Sequence, residues 1–170
     1  MRPPTFRETA TWTPGEPLVT SAARLGETVF VGAYSLSGPW LYRAEGGALV
    51  DAEFPAPDYT LSCRGLLEQG GYLYLLLGLA GMEGQPRSWE YQNRTLLYRS
   101  ADGADWTLLG DTRAAFCQLC WWQGHLYATG SGFDAHGNLA QGLWRFLRGD
   151  WRFTGIGGNW QTGSGRLRAW

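Results

Sequence analysis

The sequence predicts an all-β protein, and three observations support this prediction. The chain of 170 residues carries 25 Gly and 8 Pro together with 10 Trp, 8 Tyr and 7 Phe. Aromatic residues favour strands, whereas Gly and Pro favour turns. A pattern of short strands recurs three times, and no helical period with capping residues interrupts it. Four strands in a recurring unit of roughly 40–50 residues are typical of a β-propeller blade.

Each unit begins with two strands, a and b, joined by a Gly turn. They read SAARLGETVFVGAY, SCRGLLEQGGYLYLLLG and FCQLCWWQGHLYATG. Strand c follows with a Leu-aromatic-Arg triplet, and a turn leads to strand d. These read WLYRAEGGALVDAEF, LLYRSADGADWTLLG and LWRFLRGDWRFTG. The repeated positions are the aromatic residue of strand b (Phe30, Tyr74, Tyr127) and the arginine of strand c (Arg43, Arg99, Arg145).

The three units are predicted to span residues 17–57, 58–112 and 113–155. Their b–c connections differ in length, and the expected loops cover residues 34–38, 79–93 and 131–141. The run GGYLYLLLGLAG at 70–81 is the most apolar stretch. It is bounded by glycine and too short to span a membrane, so we interpret it as a buried strand.

Both ends of the chain carry sequence that could form a fourth blade. RETATWTP at 7–14 is similar to strand d, and GSGRLRAW at 163–170 is similar to strand c. We therefore expect one domain, a small propeller of about four antiparallel four-stranded blades, with the last blade made of residues 156–170 and 1–16. The stretch around 155–163 is short for strands a and b. The alternative is an incomplete ring that another chain, or another copy, completes.

The motif SADGADW lies on the predicted turn between strands c and d of the second unit. Asp102 precedes Gly103, so the carboxylate can accept hydrogen bonds from turn amides while the glycine adopts a positive φ. Ser100 can accept similar hydrogen bonds, and Trp106 can bury its ring between neighbouring sheets. We interpret these four residues as a structural turn.

This motif resembles the Asp-box, the S-x-D-G-x-x-W turn of bacterial neuraminidase repeats. The resemblance covers one clear box, because the corresponding turns AEGGALV and FLRGDW are degenerate. It implies a β-propeller fold. Sialidases of that kind use an arginine triad, a tyrosine nucleophile with a glutamate, and an aspartic acid. Their arginine signatures cannot be matched here, and the three repeated arginines look like repeat positions, so we expect no enzymatic activity.

Loop residues are the predicted contacts to a ligand or partner. The b–c loops of a propeller emerge on one face, so the loop at 81–94 and the loop at 131–141 should lie together, opposite the Asp-box turn. Aromatic, amide and arginine side chains on loops are typical of recognition surfaces. The alternative for Trp89 is that it caps a hydrophobic groove. The predicted binding residues are Arg87, Trp89, Tyr91, Asn93, Asp134, His136 and Asn138.

Two motifs contain metal-ligating residue types, and we predict no metal and no cofactor at either. Cys117 and Cys120 would form a zinc site only if His125 and His136 converged on them. Strand alternation places the two cysteines on opposite faces, and buried thiols are common and inert. FDAHGN at 133–138 is shorter than a calcium loop and lacks its closing Glu, so an Asx-type turn is expected.

The adjacent Trp121 and Trp122 are expected to point to opposite sides of their strand, and we assign both to the core. The alternative for one of them is that it faces a neighbouring sheet or solvent.

Composition restricts the class of function. Lys+Arg number 14 against 15 Asp+Glu, a net charge of −1, which provides no basic surface for duplex nucleic acid. The N-terminal sequence lacks the apolar core of a signal peptide, and no stretch is long enough to insert into a membrane. Three cysteines do not resemble a secreted disulfide framework. We therefore expect synthesis in the cytoplasm, with incorporation into a virus particle left open.

These observations predict a non-catalytic binding or assembly module. The leading hypothesis is a structural or host-recognition component of a virion, such as a phage tail, fibre or baseplate protein. Its partners would be other protein subunits, including copies of itself, or a cell-surface glycan. The alternatives are a carbohydrate-binding lectin and a degenerate sialidase-like glycosidase domain.

Overall fold

A computed structural model describes residues 18–35, 38–79 and 93–159. Within these ranges the chain forms β-strands and turns and contains no helix. The first four strands are β1 (Leu18–Leu25), β2 (Thr28–Tyr34), β3 (Leu41–Glu45) and β4 (Ala48–Asp51). The next four are β5 (Thr60–Gln69), β6 (Tyr72–Leu79), β7 (Arg94–Ser100) and β8 (Thr107–Thr112). The last four are β9 (Ala114–Trp122), β10 (His125–Phe133), β11 (Leu139–Leu147) and β12 (Asp150–Asn159).

Consecutive strands pair antiparallel in three meanders, which we call unit 1 (β1–β4), unit 2 (β5–β8) and unit 3 (β9–β12). Units 1 and 2 share a ladder at one point, where Tyr34 of β2 pairs with Ser62 of β5. Unit 3 is a separate four-stranded sheet. The prediction of an all-β fold with antiparallel sheets is therefore confirmed. The described residues include no helix long and apolar enough to cross a lipid bilayer.

The three units share one register between their second and third strands. The repeated aromatic residue lies opposite the repeated arginine in each unit: Phe30 with Arg43, Tyr74 with Arg99 and Tyr127 with Arg145. Directly opposed side chains project from the same face of a sheet. The repeat seen in the sequence is therefore a repeat of strand pairing.

A β-bulge also occurs at the same place in the first strand of every unit. The register shifts between Val19 and Ser21 in β1, between Cys63 and Gly65 in β5, and between Phe116 and Gln118 in β9. A bulge leaves one residue of the strand unpaired. The three unpaired residues are Thr20, Arg64 and Cys117.

Unit 2 is buried on both faces because it lies between the other two units. Along β6, side chains alternate between two hydrophobic clusters: Leu73, Leu75 and Leu77 belong to the first, whereas Tyr74 and Leu76 belong to the second. The first cluster adds residues of unit 1, and the second adds residues of unit 3. Residues 72–79 of the apolar run thus form a strand that is buried over residues 73–79.

The units stack in one direction. We call the face that carries Phe30, Tyr74 or Tyr127 the forward face of its unit, and the opposite face the rear face. Phe30 lies in the first cluster with Leu75 of the rear face of unit 2. Tyr74 lies in the second cluster with Ala128 of the rear face of unit 3. Neither cluster contains described residues from the forward face of unit 3 or the rear face of unit 1.

Two predicted boundaries differ from the structure. β12 continues to Asn159, so residues 156–159, predicted for a fourth blade, pair with β11. β10 and β11 extend into the predicted loop at 131–141 and leave only a turn at 134–138. Glycine explains the first difference: Gly142 lies opposite Gly157, where a side chain would collide with the facing backbone. The remaining segments of the predicted fourth blade, 1–16 and 160–170, lie outside the described residues.

Candidate functional site

The turn between β7 and β8 is closed by hydrogen bonds from two side chains. Oδ1 of Asp102 accepts the amides of Ala104 and Asp105 at 2.8 and 2.9 Å. Oγ of Ser100 donates to the same carboxylate oxygen at 2.9 Å and accepts the Gly103 amide at 2.8 Å. The Ala104 amide, followed by that of Asp105 and the Ser100 hydroxyl, lowers the pKa of Asp102. These are the contacts that its turn chemistry predicts.

The same turn contacts unit 1. Gly103 is buried at a φ of 81° with the ring of Phe30 against its Cα, where a side chain would overlap the ring. Trp106 is partly buried and lies edge-on to Phe54, with ring centroids 5.3 Å apart. Phe54 lies edge-on to Tyr98 in the same way, at 5.2 Å. The turn therefore lies at the contact between units 1 and 2.

The predicted loop contacts divide into two sets. Arg87, Trp89 and Tyr91 lie outside the described residues. Asn93 lies just before β7 and is partly buried. The other three, Asp134, His136 and Asn138, form the turn between β10 and β11, so the expected inserted loop is a compact hairpin connection.

That hairpin turn is an Asx-type turn. Oδ1 of Asp134 accepts the amides of His136 and Asn138 at 2.9 and 2.8 Å. The Asp134 amide donates to the Asn138 carbonyl at 2.9 Å. The Asn138 amide is the main cause of a lowered pKa at Asp134, with a smaller contribution from the His136 amide. The imidazole of His136 is exposed beside this carboxylate.

A groove of about 580 Å³ lies on unit 3 beside the end of β8, which contributes Thr112. Its other lining residues belong to unit 3 and include Asp134 and His136 of the turn and Phe153 and Thr154 of β12. The aromatic lining residues include Trp144 and Trp151, which are almost fully buried, and Phe153, which is partly exposed. The groove thus combines polar side chains with an aromatic wall, which is typical of a ligand site. It is the candidate binding site of the described residues.

The repeated arginines do not converge. Arg43 forms an ion pair with Glu45 at 2.5 Å, within unit 1. The Arg99 guanidinium lies 4.5 Å from the centroid of the Tyr72 ring, within unit 2. Arg145 contacts the imidazole of His125 at 3.1 Å, within unit 3. Each of the three arginines therefore contacts a residue of its own unit.

Two predictions about β9 are wrong: that Cys117 and Cys120 lie on opposite faces, and that Trp121 and Trp122 both belong to the core. Cys117 and Cys120 are both exposed, whereas Cys63 is buried and burial raises its pKa to about 12. Trp121 and Trp122 are 36% and 59% exposed, so neither is a core residue. Alternation predicted opposite faces for the two thiols, but the bulge at Cys117 interrupts it. Where the chain is described, no three His, Cys, Asp or Glu residues are close enough to hold a metal ion.

The two tryptophans do lie on opposite sides of β9, as expected. Trp121 approaches Tyr74 of unit 2, with centroids 5.9 Å apart. Trp122 approaches Tyr127, on the forward face of unit 3, at 6.1 Å.

Sequence reasoning missed the bulge residues. The Thr20 hydroxyl donates to the carbonyl of Cys63, and Nη1 of Arg64 lies 3.5 Å from the carbonyl of Phe116. In both cases the side chain links the first strand of one unit to the first strand of the next. Their different residue types hide the repeat, although Gly78 was a usable signal, since it makes room for the Arg64 side chain. Burial lowers the pKa of Arg64.

No protein-family model matches the sequence, and neither curated proteins nor solved structures give a match. Function must therefore be inferred from the turns, the groove and the sheet faces.

Proposed function

We propose that the chain is a non-catalytic binding or assembly module whose three units are blades of a β-propeller. The directional stack carries this proposal, because each forward face packs on the rear face of the next unit. The first strands also follow one another, with β1 against β5 and β5 against β9. Innermost strands of neighbouring propeller blades adjoin in this way. The hydrogen-bonded turn at residues 100–106 supports kinship with Asp-box repeats.

Exposed apolar side chains at both ends of the stack support an assembly role. Trp122 and Leu147 on the forward face of unit 3 are 59% and 42% exposed. Val29 and Leu49 on the rear face of unit 1 are 38% and 49% exposed. Apolar side chains grouped on one surface mark protein contacts. We therefore propose that the partners are protein subunits, as for a structural or host-recognition part of a virus particle such as a tail, fibre or baseplate.

Electron microscopy and an activity assay test this role. We expect the purified protein to enter a stable ring or larger particle, and we expect no hydrolysis of a fluorogenic sialoside above the buffer control. Hydrolysis that follows the protein through purification would contradict the non-catalytic assignment. A chain that forms no assembly and joins none, in its natural context or alone, would contradict the assembly role.

A lectin is the second candidate, and the groove on unit 3 favours it. Aromatic rings beside His136 and Asp134 match the mixture of apolar and polar contacts that small polar ligands need. A glycan array should then show binding that His136→Ala abolishes. Arg148→Ala is the matched control, because Arg148 lies on the exposed turn between β11 and β12 and does not line the groove. An array without any bound glycan contradicts the lectin and leaves the assembly role intact.

A further inference from the structure

We propose that a second copy of this chain completes the ring. The forward face of unit 3 in each copy would pack on the rear face of unit 1 in the other, giving six sheets around one axis. The inference rests on the assembly role proposed above and names the partner. It follows from two features of the described residues, the bulges and the sheet faces.

The bulges form a series that stops at β9. Thr20 bonds to the carbonyl of Cys63, and Arg64 to the carbonyl of Phe116, so each bulge residue reaches the residue that precedes the next bulge. Cys117 holds the same position in unit 3 and is exposed. The corresponding acceptor before the first bulge is Val19, which is 63% exposed. A copy placed with its β1 beside β9 would present the Val19 carbonyl to Cys117.

The two outer faces are the forward face of unit 3 and the rear face of unit 1. A forward face packs on a rear face at both junctions within the chain, so these two outer faces are of matching kinds. Burial at the repeated aromatic position does not separate covered from outer faces, because Tyr127 is 7% exposed and Tyr74 is 8% exposed. The outer faces differ in their exposed apolar side chains, which are Trp122 and Leu147 on unit 3 and Val29 and Leu49 on unit 1. The outer faces keep the same pairing registers, with Tyr127 opposite Arg145 on one and Val31 opposite Tyr42 on the other. Contact between them would continue the established interface between units.

A second copy presents a complete rear face with β1 in place, so the junction that this chain makes twice can form again without a new kind of contact.

Symmetry and blade number agree with this choice. Propellers have roughly four to eight blades, so three fall short and six lie within the range. Two copies in such a ring are related by a two-fold axis, which is the commonest symmetry of soluble oligomers. Rotation closes the contact after two copies, so no free face remains to extend a fibre.

Cysteine cross-linking tests the proposal at one pair of residues. Across the junction of units 1 and 2, Oγ of Ser21 lies 4.0 Å from Sγ of Cys63. The bulge register makes Gln118 the counterpart of Ser21, and Val19 the counterpart of Cys63. Val19→Cys and Gln118→Cys are each made in a chain whose exposed Cys117 and Cys120 are replaced by serine. We expect a disulfide-linked dimer from the mixture under mild oxidation, and none from either variant alone.

Controls separate this contact from random oxidation and from misfolding. Glu27→Cys replaces Gln118→Cys in a matched mixture, because Glu27 lies on an exposed turn of unit 1. Circular dichroism must show that every variant folds. Trp122→Arg, on the forward face of unit 3, should shift the native mass from two chains to one. The unmodified protein should have the native mass of two chains.

A monomeric native mass over the micromolar range, with no cross-linked product, would overturn the proposal and favour closure by the chain's own ends. A mass of three or more chains, or filaments, would overturn it as well. Both results can be told apart from failure of the assembly role, because a monomer that still enters a particle keeps that role and loses only the second copy.

Discussion

At the scale of single residues, Asp102 makes the stability of the protein depend on acid. Hydrogen bonds from the turn lower its pKa in the folded state, so folding favours the carboxylate. The stabilisation is complete above the unfolded-state pKa of about 3.9 and is lost as the pH falls through the folded pKa. Asp102→Asn should therefore lower the urea midpoint at pH 7 and lower it less at pH 3.

The matched control for this prediction is Asp105→Asn. Asp105 belongs to the same turn but contributes only its amide to the hydrogen bonds. Urea midpoints of the native protein and both variants, measured from pH 7 to pH 3, decide the matter. A deficit in Asp102→Asn that stays constant over this range would show that charge at the turn does not contribute.

Gly103 and Gly124 separate the cost of backbone strain from the cost of a collision. Both have a φ near 80°, so an alanine at either position adopts a left-handed conformation at a cost of about 1–2 kcal/mol. Only Gly103 faces a ring, that of Phe30, because the space around Gly124 is open. Gly103→Ala should lower the free energy of unfolding by about 1–3 kcal/mol more than Gly124→Ala. Equal losses in urea unfolding would mean that the turn does not press on unit 1.

At the scale of elements, β6 should be equally intolerant on its two faces. Leu75 and Leu76 are fully buried and point into different hydrophobic clusters. Leu75→Ala and Leu76→Ala should each lower the free energy of unfolding by about 2–5 kcal/mol. Leu108→Ala, at a site 49% exposed on β8, is the matched control and should cost far less. A small loss at only one of the two leucines would identify a face that is not part of the core.

The elements also show where sequence reasoning succeeds and where it stops. The turn at Asp102 and the turn at Asp134 could be predicted, because their hydrogen bonds join residues within four positions of each other. The pairing of Tyr74 with Arg99 could be inferred from the repeat. The exposure of Cys117 could not, since it depends on a bulge that arises between two paired strands.

The length of β12 illustrates a second limit. The sequence predicts that a fourth blade begins at residue 156, but Gly142 and Gly157 let two backbones approach closely and extend the ladder of unit 3 to Asn159. Such pairing depends on which residues lie opposite, and this is known only once the register is known. The exposure of Trp122 is likewise decided by the sheet that does or does not cover it.

At the scale of the whole molecule, the reactivity of the three thiols tests both the burial of Cys63 and the closure of the ring. Cys63 is fully buried with a pKa of about 12, so it should react with a thiol reagent only after unfolding. Cys117 and Cys120 are exposed in the single chain. Cys120 lies opposite Tyr127 on the forward face of unit 3, which a second copy would cover.

We therefore expect Cys117 and Cys120 to react quickly in dilute protein and more slowly as the chain concentration rises, because association buries their strand. Mass spectrometry of peptides after short pulses of iodoacetamide assigns the rate to each cysteine. Trp122→Arg provides the comparison, since its two exposed thiols should react at one rate at every concentration. Rates independent of concentration in the unmodified protein would argue against a second copy, whereas modification of Cys63 in the folded chain would argue against the packing of unit 1 on unit 2.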